Sequence, residues 1–502
     1  MSLLGIDVGT TGCKAVAFSE KGDAIASSYE EYDIKSPRNG YAELDTWEVW
    51  KKVLSVLAKT VSGTKSDPVK ALSVTSMGEA MVPVSENREI LGPSLLNFDE
   101  RGAEYCSALP AFQNDEKLYS INGNTLANNY GLTKLLWIRD YQNELYKKVY
   151  KFLNWGAFVM FMLGSDPVID YSLANRSLLF ELDSGAWSDY LLKEANLDRD
   201  KLPDPVPSGT YCGTVAKDTA EKTGLPRDTI LVTGAHDQCA NALGCGVVKE
   251  GQAMYGMGTF TCIVPVFHGR KEPSFMIKHG LNTEHHAVTD LFATFIYNPG
   301  GAIVKWYRDT FAAEEHRKAQ KNGTDIYDTL FRELPDTPSR SLVLPHFSTM
   351  GPPDFIDNSC GMITGLYLNS QRGEILKGII ESATYSLKES IDALPKTGFQ
   401  VEEYRPAGGG SKSEQWVQIS ADIMGMPFTK LRVTEAGSLG AALLAGLGSE
   451  IFASPEEGIE NMVTVTGTVE PDLKKHSEYS ERYEKFKKMW PVVKDFCISL
   501  NA

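Results

Sequence analysis

One pattern occurs twice in this chain. Residues 6–18 read IDVGTTGCKAVAF and residues 255–267 read YGMGTFTCIVPVF, each an apolar run, a G-T turn and a second apolar run. Two such runs around a short glycine turn predict an antiparallel hairpin. Comparable strand-and-helix material surrounds each copy. The repeat therefore restricts the chain to a duplicated α/β architecture, two related halves with a cleft between them. At 502 residues there is chain enough for two large domains. The expected divisions are 1–250, 251–450 and a C-terminal helical tail packed on them over 451–502.

Strands are expected at 3–7 and 15–18. LDTWEVWKKVLSVLAKTVSG (44–63) follows as a helix, with Asp45 as N-cap and Glu48 three residues on. Trp47, Trp50, Val53, Leu54, Leu57 and Val61 recur on it at helical spacing. VKALSVTSM (69–77) reads as a strand ending in small residues, and 224–248 as turn, strand and helix. Helices are expected at 131–146, 151–163 and 371–394. The charged stretch 472–490 reads as a solvated helix without chemistry.

A net charge of −15 argues against a general nucleic-acid or anionic-membrane surface. The longest apolar run, AFVMFMLG at 157–164, is far too short to span a bilayer. The eight cysteines are scattered with no CxxC pair, as in a cytoplasmic protein with reduced thiols. The N-terminus runs straight into a strand, without a leader pattern.

Three glycine-rich turns stand at 9–12, 256–259 and 408–411. Glycine lets backbone N–H groups approach an anion, and threonine hydroxyls add donors. None fits GxxxxGK[ST]. Singly each reads as a strand end; three together favour a polyphosphate site. Lys14 is either a phosphate contact or a surface lysine. Asp7 either holds Mg²⁺ through water or caps the turn. Ser413 can cap the helix that opens after the third turn, with Ile419, Ile423 and Met424 on its buried side. TEAGSLGAALLAGLG (434–448) is a small-residue helix suited to close packing.

The strand in LVTGAHDQCANAL delivers Gly234, His236, Asp237 and Gln238 to its C-terminal edge, where α/β proteins place ligands. Asp237 there is either a proton acceptor for a substrate hydroxyl or a helix cap. His236 reads as an orienting residue, and His285 and His286 as surface residues. Glu79 stands alone between apolar runs and needs a partner, either ligand hydroxyls or a salt bridge to Arg101.

In this order the pieces resemble the FGGY family of carbohydrate kinases, over roughly residues 3–450. GIDVGTTGCKAV looks like its first phosphate loop, and NFDER like its W-x-D-x-R segment with Asn97 in place of tryptophan. GAHDQ matches its G-G/A-H-D-Q, GMGTFT its second phosphate loop and NPGGAIVKWYRD its G-x-x-x-x-W-x-x-D segment. GGGSKSEQWVQISADIMGMPF followed by EAGSLGAALLAG is close to its adenosine-binding signature.

The resemblance implies two actin-like (ribonuclease H-like) ATPase domains with an interdomain cleft. It implies ATP-dependent phosphorylation of a small sugar or polyol, with Mg²⁺, in a protein for which a homodimer is one assembly. Carried over, Asp237 is the general base, and Asp7 and Asp237 lie near the metal. Thr10, Thr11, Lys14, Gly258 and Thr259 surround the phosphates. Gly301, Gly409, Gly410 and Ser413 line the nucleotide pocket. Met77, Glu79, Asp99, Asp237 and Gln238 face the sugar.

The departures bear on substrate. Xylulokinases typically show Q-M-H-G where this chain has SMGEA, and glycerol kinases show N-Q-R-E-T, with arginine where Gly78 stands here. S-M-x-E followed by NFDERGAE is closer to autoinducer-2 kinases, which carry arginine in the third place. Gly78 is expected to remove a charged donor and leave room, so an uncharged substrate larger than glycerol follows. Family habit favours a pentulose such as xylulose, with a polyol or autoinducer-2 as the alternative. An actin-like ATP-binding module without an acceptor substrate is the reading from a different class.

Overall fold

The computed structural model describes residues 1–432 and 435–500. Thr434, at the head of the small-residue stretch, and residues 501 and 502 of the tail lie outside them.

The repeated pattern becomes a repeated sheet. In the first copy, β1 (Ser2–Val8) pairs antiparallel with β2 (Gly12–Ser19), which pairs antiparallel with β3 (Ala24–Glu31). On its other side β1 runs parallel to β4 (Val69–Ser76). Beyond β4 come β5 (Tyr211–Thr214) and β6 (Ile230–Val232), giving the order β5-β6-β4-β1-β2-β3.

In the second copy, β7 (Gln252–Met257) pairs antiparallel with β8 (Phe260–His268) and parallel with β11 (Glu403–Ala407). Its sheet runs β9 (Glu284–His285), β10 (Leu291–Ala293), β8, β7, β11, β12 (Phe428–Leu431), β13 (Val465–Val469), with Ile296–Pro299 also on β8. The central four strands correspond one to one and in direction. The edges differ: β5 precedes β6 in the chain whereas β13 follows β12, and β8 carries β10, β9 and Ile296–Pro299 where β2 carries β3 alone.

Helix α1 (Thr46–Ser62) starts at Asp45, whose carboxylate accepts from Trp47 N and Glu48 N. Val49, Val53, Val56, Leu57 and Val61 are its buried positions. Trp47 points to solvent and Leu54 is half-buried, because the buried face runs through Thr46, Val49, Val53, Val56, Leu57, Thr60 and Val61. The stretch expected as a helix over 131–146 breaks at Gln142 into α2 (Gly131–Tyr141) and a short helix Asn143–Lys148. Residues Lys151–Asn154, expected as helix, form a strand on Met81–Val84, and the helix begins only at Trp155. Those four residues satisfy their backbone groups on a neighbouring strand, a partner that local pattern does not reveal. Continuing along the chain, α3 (Tyr171–Asn175), α4 (Asp237–Gly244) and α5 (Gly301–Phe311) carry residues of the site.

The α6 helix (Arg372–Ile391) is buried almost all round, Lys377 and Glu381 included, and not on one face alone. It packs against α7 (Glu414–Met424), on which Ile419, Ile423 and Met424 are buried as the pattern required. The charged tail helix α9 (Leu473–Phe486) is solvated on one side only; Tyr479, Tyr483 and Phe486 are buried against α6 and α7. Among the described residues no two cysteines are joined as a disulfide.

The junction of the halves is a crossing of α4 with α8 (Ala436–Gly448). Although it lies late in the chain, α8 packs on β1, β4 and β6 of the first sheet, while α4 also touches β7 and β8 of the second. The crossing is backbone against backbone. A Cβ at Gly440 would stand 1.9 Å from Ala240 O, and one at Gly244 1.9 Å from Ala436 O. Gly440→Ala should therefore destabilise the fold by about 3 kcal/mol, since neither helix can withdraw from a filled core. Denaturant unfolding of the pair of proteins checks this; an unchanged midpoint would show that the helices can separate.

Candidate active site

Each hairpin turn feeds a cavity. The second turn (Gly258, Thr259) and the third (Gly409, Gly410) meet in a cleft of about 820 Å³, with Gly301 at the start of α5 and Ser413 at the start of α7. Ser413 Oγ accepts from Trp416 N at 3.2 Å, so this serine caps α7. Lys305, Arg332 and Lys412 line the same cleft as cations, alongside Asp325, Asp328 and Glu414. Trp416 also lines it, and its Nε1 is a buried donor without an acceptor among the described residues. Backbone N–H groups, a helix N-terminus and cations together suit a polyphosphate.

A second cavity, about 350 Å³, lies on the other side of the β7–β8 turn. Thr259 lines the first cavity and Phe260 the second. Its wall contains five of the expected residues: Thr10, Met77, Glu79, Asp237 and Gln238. Thr10 belongs to the first turn, whose shape is held by Tyr32. That hydroxyl lies 2.5 Å from Gly9 O and 3.0 Å from Gly12 O, while Gly9 N donates to Gly12 O. Thr11 is exposed on the same turn and lines neither cavity. Lys14 is bound to Glu435 at 2.6 Å, directly across β1–β2 from Asp7.

Asp237 is the first residue of α4, where β6 has just ended. The loop between them is tied down: Thr75 Oγ1 donates to Ala235 O and Ser172 Oγ accepts from His236 N. Burial, then the charges of Asp7 and Glu79, push the Asp237 carboxyl up to about 7. Burial also raises Asp7 to about 6, against the pull of Lys14. His236 Nε2 is 3.1 Å from Asp237 Oδ1, and burial holds this imidazole well below its usual range. Burial favours the neutral ring, which lies against the carboxylate as an orienting contact. The ring is edge-on to Phe295 at 5.2 Å.

Two expectations are corrected. Asp99 does not face the cavity. It is fully buried and accepts from Ala42 N at 2.6 Å, Arg101 N at 2.8 Å, and Arg101 Nε and Nη2 at 2.9 and 2.6 Å. Arg101 spends its remaining reach on Glu43, so it is not the partner of Glu79. That partner is Arg176, the residue that ends α3. Nor is there free space at Gly78, because a Cβ there would meet Arg176 Cγ at 2.9 Å. Neither Arg176 nor Asn129, Phe295 and Tyr297, which also line the wall, was expected from the sequence. The signal for Arg176 was present: a lone cation inside LANRSLLF, with the same need for a partner as Glu79. His285 and His286 are half-buried and buried, not surface residues.

Residues 2–244 match the N-terminal domain of the FGGY family of carbohydrate kinases, and residues 267–449 match its C-terminal domain. The chain belongs to the FGGY family. It is a carbohydrate kinase, a phosphotransferase with an alcohol group as acceptor and ATP as donor. A xylulose kinase of Bacillus subtilis is 25% identical over 100% of this chain and 99% of its own length. An autoinducer-2 kinase of Escherichia coli is 28% identical over 97% of this chain and 94% of its own. In architecture the chain is similar to a xylulose kinase of Rhodospirillum rubrum, with TM-score 0.87, 24% identity and 99% of each chain covered. The two-domain actin-like fold is thereby shared. Among the described residues no helix is long and apolar enough to cross a membrane.

Because Asp99 is consumed internally, Asp99→Ala should cost about 3–5 kcal/mol of stability by leaving Ala42 N unpaired and Arg101 with Glu43 alone. The sugar KM of the folded fraction should stay unchanged. Thermal melts beside steady-state kinetics separate the two effects, and a raised sugar KM with normal stability would restore Asp99 to the binding site.

Proposed function

We propose that this kinase phosphorylates a pentulose, with xylulose the first candidate, and that Asp237 is its general base. The observation that carries the reading is the placing of Asp237. A carboxyl raised towards neutrality shares one small cavity with Glu79 and Gln238, beside the glycine-turn cleft. Such a carboxylate is a better base than an ordinary aspartate. It takes the proton of the acceptor hydroxyl as that oxygen attacks the γ-phosphorus in line, and ADP leaves. His236 holds the carboxylate in orientation.

Gly409, Gly410 and Ser413 are assigned to the nucleotide, with Gly301 beside them. Thr10, Thr11, Gly258 and Thr259 are assigned to the phosphates, and Lys14 to them once it leaves Glu435. The residues fit Mg²⁺ bound mainly through phosphate and water. Asp7 and Asp237 are two close carboxylates whose mutual repulsion a divalent cation relieves. Mg²⁺ there would neutralise charge on the transferred phosphoryl group, and omitting it should abolish turnover. A cytoplasmic location accords with the ATP requirement.

The pentulose is supported by the xylulose kinase relative and by a cavity whose ionisable groups give no net positive charge to attract an anion. Met77, Glu79 and Gln238 are assigned to the sugar. An ATP-binding scaffold without an acceptor has no use for Glu79 and Asp237 on one wall.

ADP release should be measured across ketopentoses of both hands, erythritol, xylitol, arabitol, glycerol and dihydroxypentanedione. A ketopentose should respond most strongly. Asp237→Asn should then lower kcat by about 10²–10⁴-fold with ATP binding retained. Strongest turnover of a polyol or of the pentanedione would overturn the pentulose. Near-full activity of the variant would overturn the base.

A further inference from the structure

Arg176 is bound more elaborately than charge balance requires. Its Nε donates to Glu79 Oε1 at 3.0 Å, its Nη2 reaches the same oxygen, and its Nη1 reaches Glu284 Oε1. Glu284 is fully buried and its Oε1 is also held by Asn282 Nδ2 at 2.8 Å. The guanidinium lies over the Tyr130 ring, 4.9 Å from its centroid. Two carboxylates and a ring thus fix one planar group in one plane.

An arginine carries five N–H donors. Three are used in these contacts, which leaves two N–H groups with no acceptor among the described residues. Arg176 and Glu79 both line the acceptor cavity. Glu79 in turn uses only Oε1, leaving Oε2 as an acceptor. The cavity wall therefore presents, side by side, a carboxylate oxygen that can take a hydroxyl proton and guanidinium donors that can meet an oxygen with none to give.

We propose that Glu79 and Arg176 together read an α-hydroxyketone, with Arg176 donating to the ketone oxygen and Glu79 accepting from the adjacent hydroxyl. Arg176 is then a specificity-determining residue for ketoses over the corresponding polyols, and Glu284 is a positioning residue that acts through it. The assignment rests on the kinase using a ketopentose, and it adds which residues choose it. The guanidinium also occupies the space next to Gly78, so any side chain at 78 would displace it.

The test is steady-state kinetics on the full chain with a ketopentose and its reduced pentitol, for wild type, Arg176→Gln and Gly78→Ala. Arg176→Gln should raise the ketose KM by about 10- to 100-fold, the loss expected for one charged hydrogen bond. It should leave the ATP KM unchanged and collapse the ketose-to-pentitol ratio of kcat/KM. Gly78→Ala keeps every charge, so it should fold, and it should shift the ketose KM and the ratio in the same direction. If Arg176→Gln does not fold, Gly78→Ala decides. A ketose KM and ratio unchanged in a folded variant overturns this inference alone. No ketose turnover by the wild-type protein overturns the pentulose reading and this inference with it.

Discussion

The crossing of α4 with α8 is the constraint on which the site depends. Two helices that touch through Gly244, Gly440 and their neighbours' carbonyls meet there as backbone, with no side chain at those two points to yield. Each begins at the chemistry. The first residue of α4 is Asp237, and α8 opens beside Asp7, where a Cβ at Gly437 would lie 3.1 Å from Asp7 Oδ2. Fixing the helices fixes how far apart the two carboxylates stand. β1 is locked to the same helix, since a Cβ at Gly5 would fall 1.8 Å from Ser438 O. A movement of one half against the other must therefore pivot about this contact and not open it.

That rigidity sustains an arrangement that is unfavourable in itself. Asp7 and Glu79 raise the cost of ionising Asp237, Glu435 raises that of Asp7, and Arg176 and Lys14 answer the carboxylates locally. A chain selected for stability alone would replace such a cluster with apolar residues. Its persistence at the meeting of a glycine-turn cleft and a polar cavity is what function requires: charge waiting for a cation, a proton and a hydroxyl-rich ligand.

What the sequence disclosed is what local pattern encodes. The repeated hairpin, the Asp45 cap, the strand that leads towards Asp237, the Ser413 cap and the tight packing of the small-residue helix all follow from spacing and residue type. What it hid are partnerships between distant segments. Residues 151–154 became a strand because 81–84 offered an edge. Asp99 was consumed by Arg101, two residues along, and by Ala42 N, fifty-seven residues back. Glu79 clearly needed a cation, but nothing near it in the chain said which. The cation that serves is ninety-seven residues away.

Position 78 shows how this matters for specificity. Compared motif by motif, Gly78 means that a cation has been lost and space gained. In three dimensions the opposite holds, because Arg176 reaches into that space from the end of α3. The glycine is then the condition for the arginine: without a Cβ at 78 the guanidinium can lie flat between Glu79 and Glu284. A cavity keeps its chemistry when a group moves from one element to another, provided the first position is emptied to admit the second. Substrate choice in such a cavity has to be argued from which atoms line it, since the residue at any single motif position can be silent or misleading.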